Sequence, residues 1–259
     1  MKSVNYLLFL LFLLPIHLTL QAQEYKIPVQ NVRDGKLTLN NFPGDLPIEG
    51  YNGSDIIITS SRDSKLPARA KGLQAVYADG TDNTGLAVAV QKNGNQITLQ
   101  CLLPITQSAS YTIKVPDNFS ILVNNECGRS GDVRVENTKG EIEITNCHDI
   151  HLKNVAGPLV LSTISGDVDV VFSGLSKDKP ISLASISGDI DVTLPANAGV
   201  DIQMETISGS IYSDFDFPSD EKKLKKIGGN SIRSQLNGGG VSFKITNISG
   251  NIYLRKKAA

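Results

Sequence analysis

Two matched pairs of aspartates are the residues of this chain best placed to do chemistry. Asp167 and Asp169, on either side of Val168, recur position for position as Asp189 and Asp191, on either side of Ile190. Hard cations take clustered carboxylate oxygens, so stacking the two runs would create a calcium site on an outer face. The same pairs would suit a glycosidase only if a cleft set two carboxylates at the required separation, in surroundings unlike enough to split their pKa values. Two features weigh against both readings. The following copies replace the carboxylates with Ser210 and Tyr212, then with Asn251 and Tyr253, and the paired glycines of calcium-binding nonapeptide repeats are missing. Repulsion between exposed carboxylates ~5 Å apart is also only about 0.8 kcal/mol in water. A solvated ladder without metal is the favoured reading.

Other reactive residues are few. His148 and His151 are the only histidines beyond the first 22 residues, which leaves a nucleophilic serine little choice of base. A metal site built on Cys147, His148 and His151 is set aside because adjacent strand residues point to opposite faces. Cys127 and Cys147 are 20 residues apart, about one coil of a stacked fold, and neighbouring coils lie about 4.8 Å apart. They are within disulfide reach, with buried thiols as the alternative, and Cys101 is left over. Tyr212 and Tyr253 occupy equivalent outward positions. They could form an aromatic shelf for a sugar or peptide, or could simply pack across strands under the Asp214–Asn237 segment.

These residues ride on a repeat. The tetrad Thr163-Ile164-Ser165-Gly166 returns as Ser185-Ile186-Ser187-Gly188, Thr206-Ile207-Ser208-Gly209 and Asn247-Ile248-Ser249-Gly250. Successive isoleucines are 22, 21 and 41 residues apart, and each tetrad opens an alternating apolar/polar run. A period near 21 residues with one strand phase predicts an all-β, β-helix-like β-solenoid. Reading the period-2 alternation straight through the tetrad puts Ile164, Ile186, Ile207 and Ile248 in the core with Val168 and Val170. It turns Thr163, Ser185, Thr206 and Asn247 outward, and the glycines allow a bend or a close backbone approach. The Asp214–Gly240 segment should leave the stack as a loop. Arg255, Lys256 and Lys257, on the last strand, should blunt the end of the solenoid by charge.

Residues 1–22 read as a cleaved signal peptide: Lys2, an apolar stretch from Tyr6 to Leu20, and a small-residue site before Gln23. Residues 23–125 then form an N-terminal β region capping or continuing the solenoid, and 126–259 the solenoid repeats with a loop at about 214–240. Without Lys2 the chain carries 24 basic against 26 acidic residues. That near-balance gives no electrostatic case for nucleic acid. No second long apolar run predicts a transmembrane segment, and no cofactor motif is present. Localisation is therefore expected in the periplasm or on the cell surface of a bacterium.

The tetrads with their flanks, the segment Asn41-Phe42-Pro43-Gly44-Asp45-Leu46-Pro47-Ile48-Glu49-Gly50-Tyr51, the strand from Tyr111 to Pro116 and the ending from Asn247 to Lys256 resemble the bacterial putative adhesin family. That family is a domain of unknown function related to the head GIN domain family. The resemblance implies an exported β-solenoid without catalytic residues. With the flat, near-neutral composition it leads to a non-catalytic adhesin-like binding or scaffold protein of the cell envelope. The partner would be an envelope protein or a surface glycan. An envelope-stress sensing partner is the alternative, and a glycan-cleaving β-helix enzyme ranks below it.

Overall fold

The computed structural model describes residues 23–62, 67–176, 179–217 and 229–258. The leader at 1–22 and the Lys-rich stretch at 220–227, read from sequence as a loop or single turn, lie outside the described residues. The strands begin with β1 (Gln23–Pro28), β2 (Lys36–Asn40), β3 (Gly44–Tyr51), β4 (Asp55–Ser60), β5 (Val76–Tyr77) and β6 (Gly80–Thr81). They continue with β7 (Val88–Asn93), β8 (Gln96–Cys101), β9 (Tyr111–Pro116), β10 (Ser120–Asn124), β11 (Ser130–Glu136) and β12 (Ile142–Asn146). Next are β13 (Ile150–Val155), β14 (Leu159–Ser165), β15 (Val168–Phe172), β16 (Ile181–Ser187) and β17 (Ile190–Leu194). The last are β18 (Val200–Ser208), β19 (Ile211–Ser213), β20 (Asn230–Leu236), β21 (Val241–Ser249) and β22 (Ile252–Lys256). A single 3-10 turn at Ala68–Ala70 is the one helical element among the described residues. No helix there is long and apolar enough to cross a membrane.

The strands form two facing ten-stranded sheets and a small hairpin, β5–β6. The first sheet runs β1-β4-β9-β3-β11-β13-β15-β17-β22-β19 and the second β20-β18-β21-β16-β14-β12-β10-β2-β8-β7. Each coil lays one strand in the second sheet, turns a corner, and lays the next in the first, as β14–β15 and β16–β17 do. Neighbouring coils pair in parallel, with Leu161 opposite Leu183 and Val168 opposite Ile190. Alternate residues from both sheets meet between the layers, where Phe172 and Phe243 pack edge to face at 6.0 Å. Such alternation of apolar and polar residues lets a strand bury one face and solvate the other.

Chain order and spatial order part at both ends. Coil β21–β22 slots between β16–β17 and β18–β19, and coil β2–β3 sits between β8–β9 and β10–β11. This corrects two expectations. The segment after β19 does not simply loop out, because β20 returns antiparallel to β18 over Val200–Thr206. The terminal strand β22 is interior, between β17 and β19, so Arg255 and Lys256 do not blunt an end. At that end the first sheet stops on a strand of three residues, β19, and short edge strands limit strand addition. Antiparallel strands also close the opposite end, where β4 pairs with β9 and β1, and β7 pairs with β8.

A third correction concerns the isoleucines. Ile164, Ile186, Ile207 and Ile248 are 50%, 48%, 60% and 44% exposed, whereas Thr163, Ser185, Thr206 and Asn247 are at most 3% exposed. Thr163 shares the inward parity of Leu159 and Leu161, and Val168 is inward again across the corner. The Ser-Gly corner removes one step of alternation, so parity read through it comes out reversed.

Tyr111 marks the core near the β7 end. Its hydroxyl donates to the Leu86 carbonyl at 2.7 Å, and its ring meets Phe42 edge-on at 5.2 Å. Burial pushes the phenol far above its ordinary range. The stability it lends is complete below pH about 10 and falls above it, because the unfolded chain then ionises while the folded one does not. Urea midpoints should therefore drop between pH 9 and pH 11, and Tyr111→Phe should flatten that drop. Equal slopes for both proteins would contradict it.

Candidate functional site

The corner tetrads are the most regular surface of the molecule, and two of their four positions, the first and the last, have structural work. The first residue is buried and donates to the corner carbonyl of the adjacent coil. Thr163 Oγ1 reaches His148 O at 2.8 Å, Ser185 Oγ reaches Gly166 O at 3.3 Å, Asn247 Nδ2 reaches Gly188 O at 2.8 Å, and Thr206 Oγ1 reaches Gly250 O at 2.9 Å. Asn146 Nδ2 continues the column to Gly131 O at 3.0 Å. These bonds satisfy carbonyls that the corner frees from the sheet ladder. The serine is an exposed corner residue carried in the parallel register, Ser165 opposite Ser187 and Ser187 opposite Ser249. The glycine leaves room for the neighbouring backbone: a Cβ on Gly209, Gly250 or Gly188 would lie 2.0, 2.1 or 2.2 Å from the next coil's carbonyl oxygen.

The isoleucine has no such task either, and unlike the serine it is large and apolar. Parallel register sets Ile164, Ile186, Ile248 and Ile207 side by side on the outer face of the second sheet, a continuous apolar ridge. Sequence reasoning missed the ridge by assigning these residues to the core. The usable signal was the glycine, whose place after serine marks a corner.

The aspartates just past the corner have a structural part that their spacing did not reveal. Asp149 Oδ1 accepts the Asp167 N–H at 2.9 Å, Asp167 Oδ1 that of Asp189 at 2.7 Å, and Asp189 Oδ1 that of Asn251 at 2.7 Å. Asn251 Oδ1 in turn accepts from Ser210 at 3.0 Å, so an amide replaces a carboxylate without breaking the ladder. At the other end Asp45 Oδ1 accepts from the Asp132 N–H, which holds the Asp45 carboxyl below its ordinary range. Asp169 and Asp191 lie opposite each other one step further on. Asp169 Oδ2 meets His151 Nδ1 at 2.9 Å, and Asp191 takes Arg255 Nε with both oxygens, at 2.8 and 2.9 Å. The four calcium candidates Asp167, Asp169, Asp189 and Asp191 are therefore engaged separately and do not form one ligand set.

Among the described residues, a different group has its ligand atoms close enough to hold a metal. Ligand atoms of Asp132, Asp149 and His151 lie within 4.8 Å of one another. Asp169 fixes the imidazole by Nδ1 and leaves Nε2 facing Asp149 Oδ2 at 3.8 Å. Arg134 already supplies positive charge there, with Nη2 2.7 Å from Asp132 Oδ2 and Nη1 3.1 Å from Asp45 Oδ2.

Tyr212 and Tyr253 do lie side by side, with centroids 5.3 Å apart and planes 13° from parallel. They are stacked along the coil axis, so one face of each ring covers the other. This is a short stack at the β19 edge rather than a flat shelf, and the Arg255 guanidinium lies 5.4 Å from the Tyr253 ring centre. Cys127 and Cys147 are joined as a disulfide with Cα atoms 5.2 Å apart, and Cys101 is a buried thiol.

Corners, buried hydroxyl and amide column and carboxylate ladder recur through the second half of the chain. The family profile Toastrack DUF4097 matches residues 125–255, just over half of the chain. The chain belongs to the Toastrack DUF4097 family. The Toastrack match runs from Asn125, in the buried polar column, to Arg255, the partner of Asp191, and so includes every tetrad. Among solved structures, a putative cell adhesion protein from Clostridium sporogenes is similar at 15% identity and a TM-score of 0.45. That similarity covers 92% of this chain and 100% of the other. A putative adhesin from Bacteroides fragilis is similar at 12% identity and a TM-score of 0.37, covering 92% and 98% of the two chains. No curated protein matches the chain.

Proposed function

We propose that this Toastrack chain is an exported, non-catalytic, adhesin-like scaffold of the bacterial envelope that docks an envelope protein on its isoleucine ridge. One observation carries the reading: within each tetrad the fold accounts for the buried polar residue and the glycine, and leaves a large apolar isoleucine exposed beside a small polar serine. Four β-branched side chains in register make a stiff apolar strip suited to an apolar groove on a protein. Covering side chains that are already about half buried would contribute roughly 1 kcal/mol each. Export rests on the Lys2 and apolar pattern of the leader. The non-catalytic part is supported by the engagement of hydroxyl and imidazole groups of the kind that catalysis uses. The Thr163 and Ser185 hydroxyls are given to carbonyls, and His151 is held by Asp169. The Tyr212–Tyr253 stack lies in the coils that also carry Ile207 and Ile248 and would extend the contact.

The test uses the purified chain as bait against a native envelope fraction. The paired substitution Ile186→Asn with Ile248→Asn should remove a captured protein from folded bait while lowering the melting temperature by roughly 4–8 °C, about 1 kcal/mol for the buried half of each side chain. The substitution Tyr212→Ser with Tyr253→Ser should weaken the same capture. Undiminished capture by the isoleucine variant would sink the docking assignment. Glycan hydrolysis abolished by Asp167→Asn or Asp189→Asn would overturn the non-enzyme reading.

A further inference from the structure

At the β7 end the outer face of the second sheet carries a cleft of ≈ 860 Å³. Strand register builds its floor. Gln91 lies opposite Thr98, Ala89 opposite Gln100, and Gln100 opposite Asn40. One wall is the β5–β6 hairpin with Tyr77, and the other is the turn that ends at Ile105, which is 77% exposed. The floor side chains carry no charge, and the ionic residues of the lining, Asp79 in the hairpin wall with Glu126 and Arg129 at one end, are of mixed sign.

The floor also has hydrogen-bonding capacity to offer. Among the described residues the Thr98 hydroxyl and the Gln91 amide make no hydrogen bond. Asn40 uses its oxygen, accepting from Asn124 Nδ2 at 3.2 Å, and keeps its NH₂. Gln100 uses its NH₂ on the Cys101 carbonyl at 3.2 Å and keeps its oxygen. Donors and acceptors thus alternate across strands spaced about 4.8 Å apart.

We propose that this cleft binds a hydroxyl-rich oligosaccharide. Neighbouring sugar hydroxyls each donate and accept, which matches neutral amides and hydroxyls better than a charged floor would. Tyr77 and Ile105 supply apolar surface for the C–H face of a ring. An extended peptide fits less well. It would need a strand edge, and the adjacent β7 edge is closed by side chains. Asn83 Oδ1 accepts the Val90 N–H at 2.8 Å, Asn83 Nδ2 donates to Val90 O at 2.9 Å, and the Thr84 hydroxyl donates to Val88 O at 3.0 Å. The inference rests on the binding-scaffold reading and adds a second site to it, at the opposite end of the second sheet from the isoleucine ridge.

The experiment exposes the chain from Gln23 onward to an array of neutral and acidic oligosaccharides and, in parallel, to a library of seven-residue peptides. Wild type should retain a set of oligosaccharides. The double variant Thr98→Val with Gln100→Leu should lose at least about tenfold in affinity, the effect of one or two hydrogen bonds, and Ile105→Asp should weaken the same set. The ridge variant Ile186→Asn with Ile248→Asn should retain it unchanged. No oligosaccharide retained, equal retention by the Thr98 and Gln100 variant, or peptide retention that this variant abolishes would each overturn the proposal. Loss of envelope-protein capture by the ridge variant in the same preparations keeps the two readings separable, because either can fail while the other holds.

Discussion

Replacing Gly250 by alanine is expected to lower the melting temperature by roughly 6–12 °C, from strain and overlap that together cost about 3 kcal/mol in a chain of this size. Gly250 has φ +140°, where side chains are strained, and the new Cβ would lie 2.1 Å from the Gly188 carbonyl oxygen and 2.7 Å from its carbon. Both atoms are backbone in the adjacent coil, so relief would require the two coils to separate at the corner. Corner glycines on either side face the same geometry, and the strain cannot be passed along the stack. Gly174→Ala supplies the control, because its Cβ would meet nothing within 4 Å. That variant should melt within about 2 °C of wild type. Equal melting of the two variants, measured by circular dichroism, would show that close corner packing is not what fixes glycine in the tetrad.

Reduction is the second large effect. The Cys127–Cys147 bridge ties the approach to β11 to the end of β12, and closing a loop of 20 residues stabilises by about 3 kcal/mol on the loop-entropy account. Melting in reductant, or after Cys127→Ser with Cys147→Ser, should fall by roughly 6–12 °C. Cys101 is a free, buried thiol with no S–S bond to cleave, so reductant acts on the bridge. Identical melts with and without reductant would contradict the stabilising role.

What could be read from sequence follows from the range of the physics involved. Strand alternation is local, and Val168, Val170, Ile190 and Val192 lie inside as their spacing implies. The corner is also local but ambiguous. A glycine that bends the chain and one that merely admits a close neighbour look alike, and only the first resets parity, which is why the isoleucines and the polar column changed places. Coil order was not legible at all. The tetrads are nearly identical, so nothing in them says that Asn247 lies beside Ser185 and that Thr206 lies outside it. The 41-residue interval hides an antiparallel return, β20, whose seven residues alternate too weakly to announce a strand. The carboxylate pairs were visible, but their hydrogen bonds to the next coil's N–H groups depend on register. The walls of the cleft rest partly on two-residue strands, β5 and β6, which leave no periodic trace.

The central claim, that within one tetrad the polar residue holds the fold and the isoleucine meets the partner, is tested most directly at Asn247 and Ile248. Asn247 is fully buried and donates to the Gly188 carbonyl, so Asn247→Ala should cost about 1–3 kcal/mol of stability. Ile248→Asn, at a side chain 44% exposed, should cost only about 1 kcal/mol. Melting curves and envelope-protein capture, measured together on both variants and normalised to folded protein, are predicted to give opposite outcomes. Asn247→Ala should melt early and capture normally, and Ile248→Asn should melt within about 4 °C of wild type and capture poorly. An Ile248→Asn protein that melts early like a core variant, or that captures as well as wild type, would contradict the account.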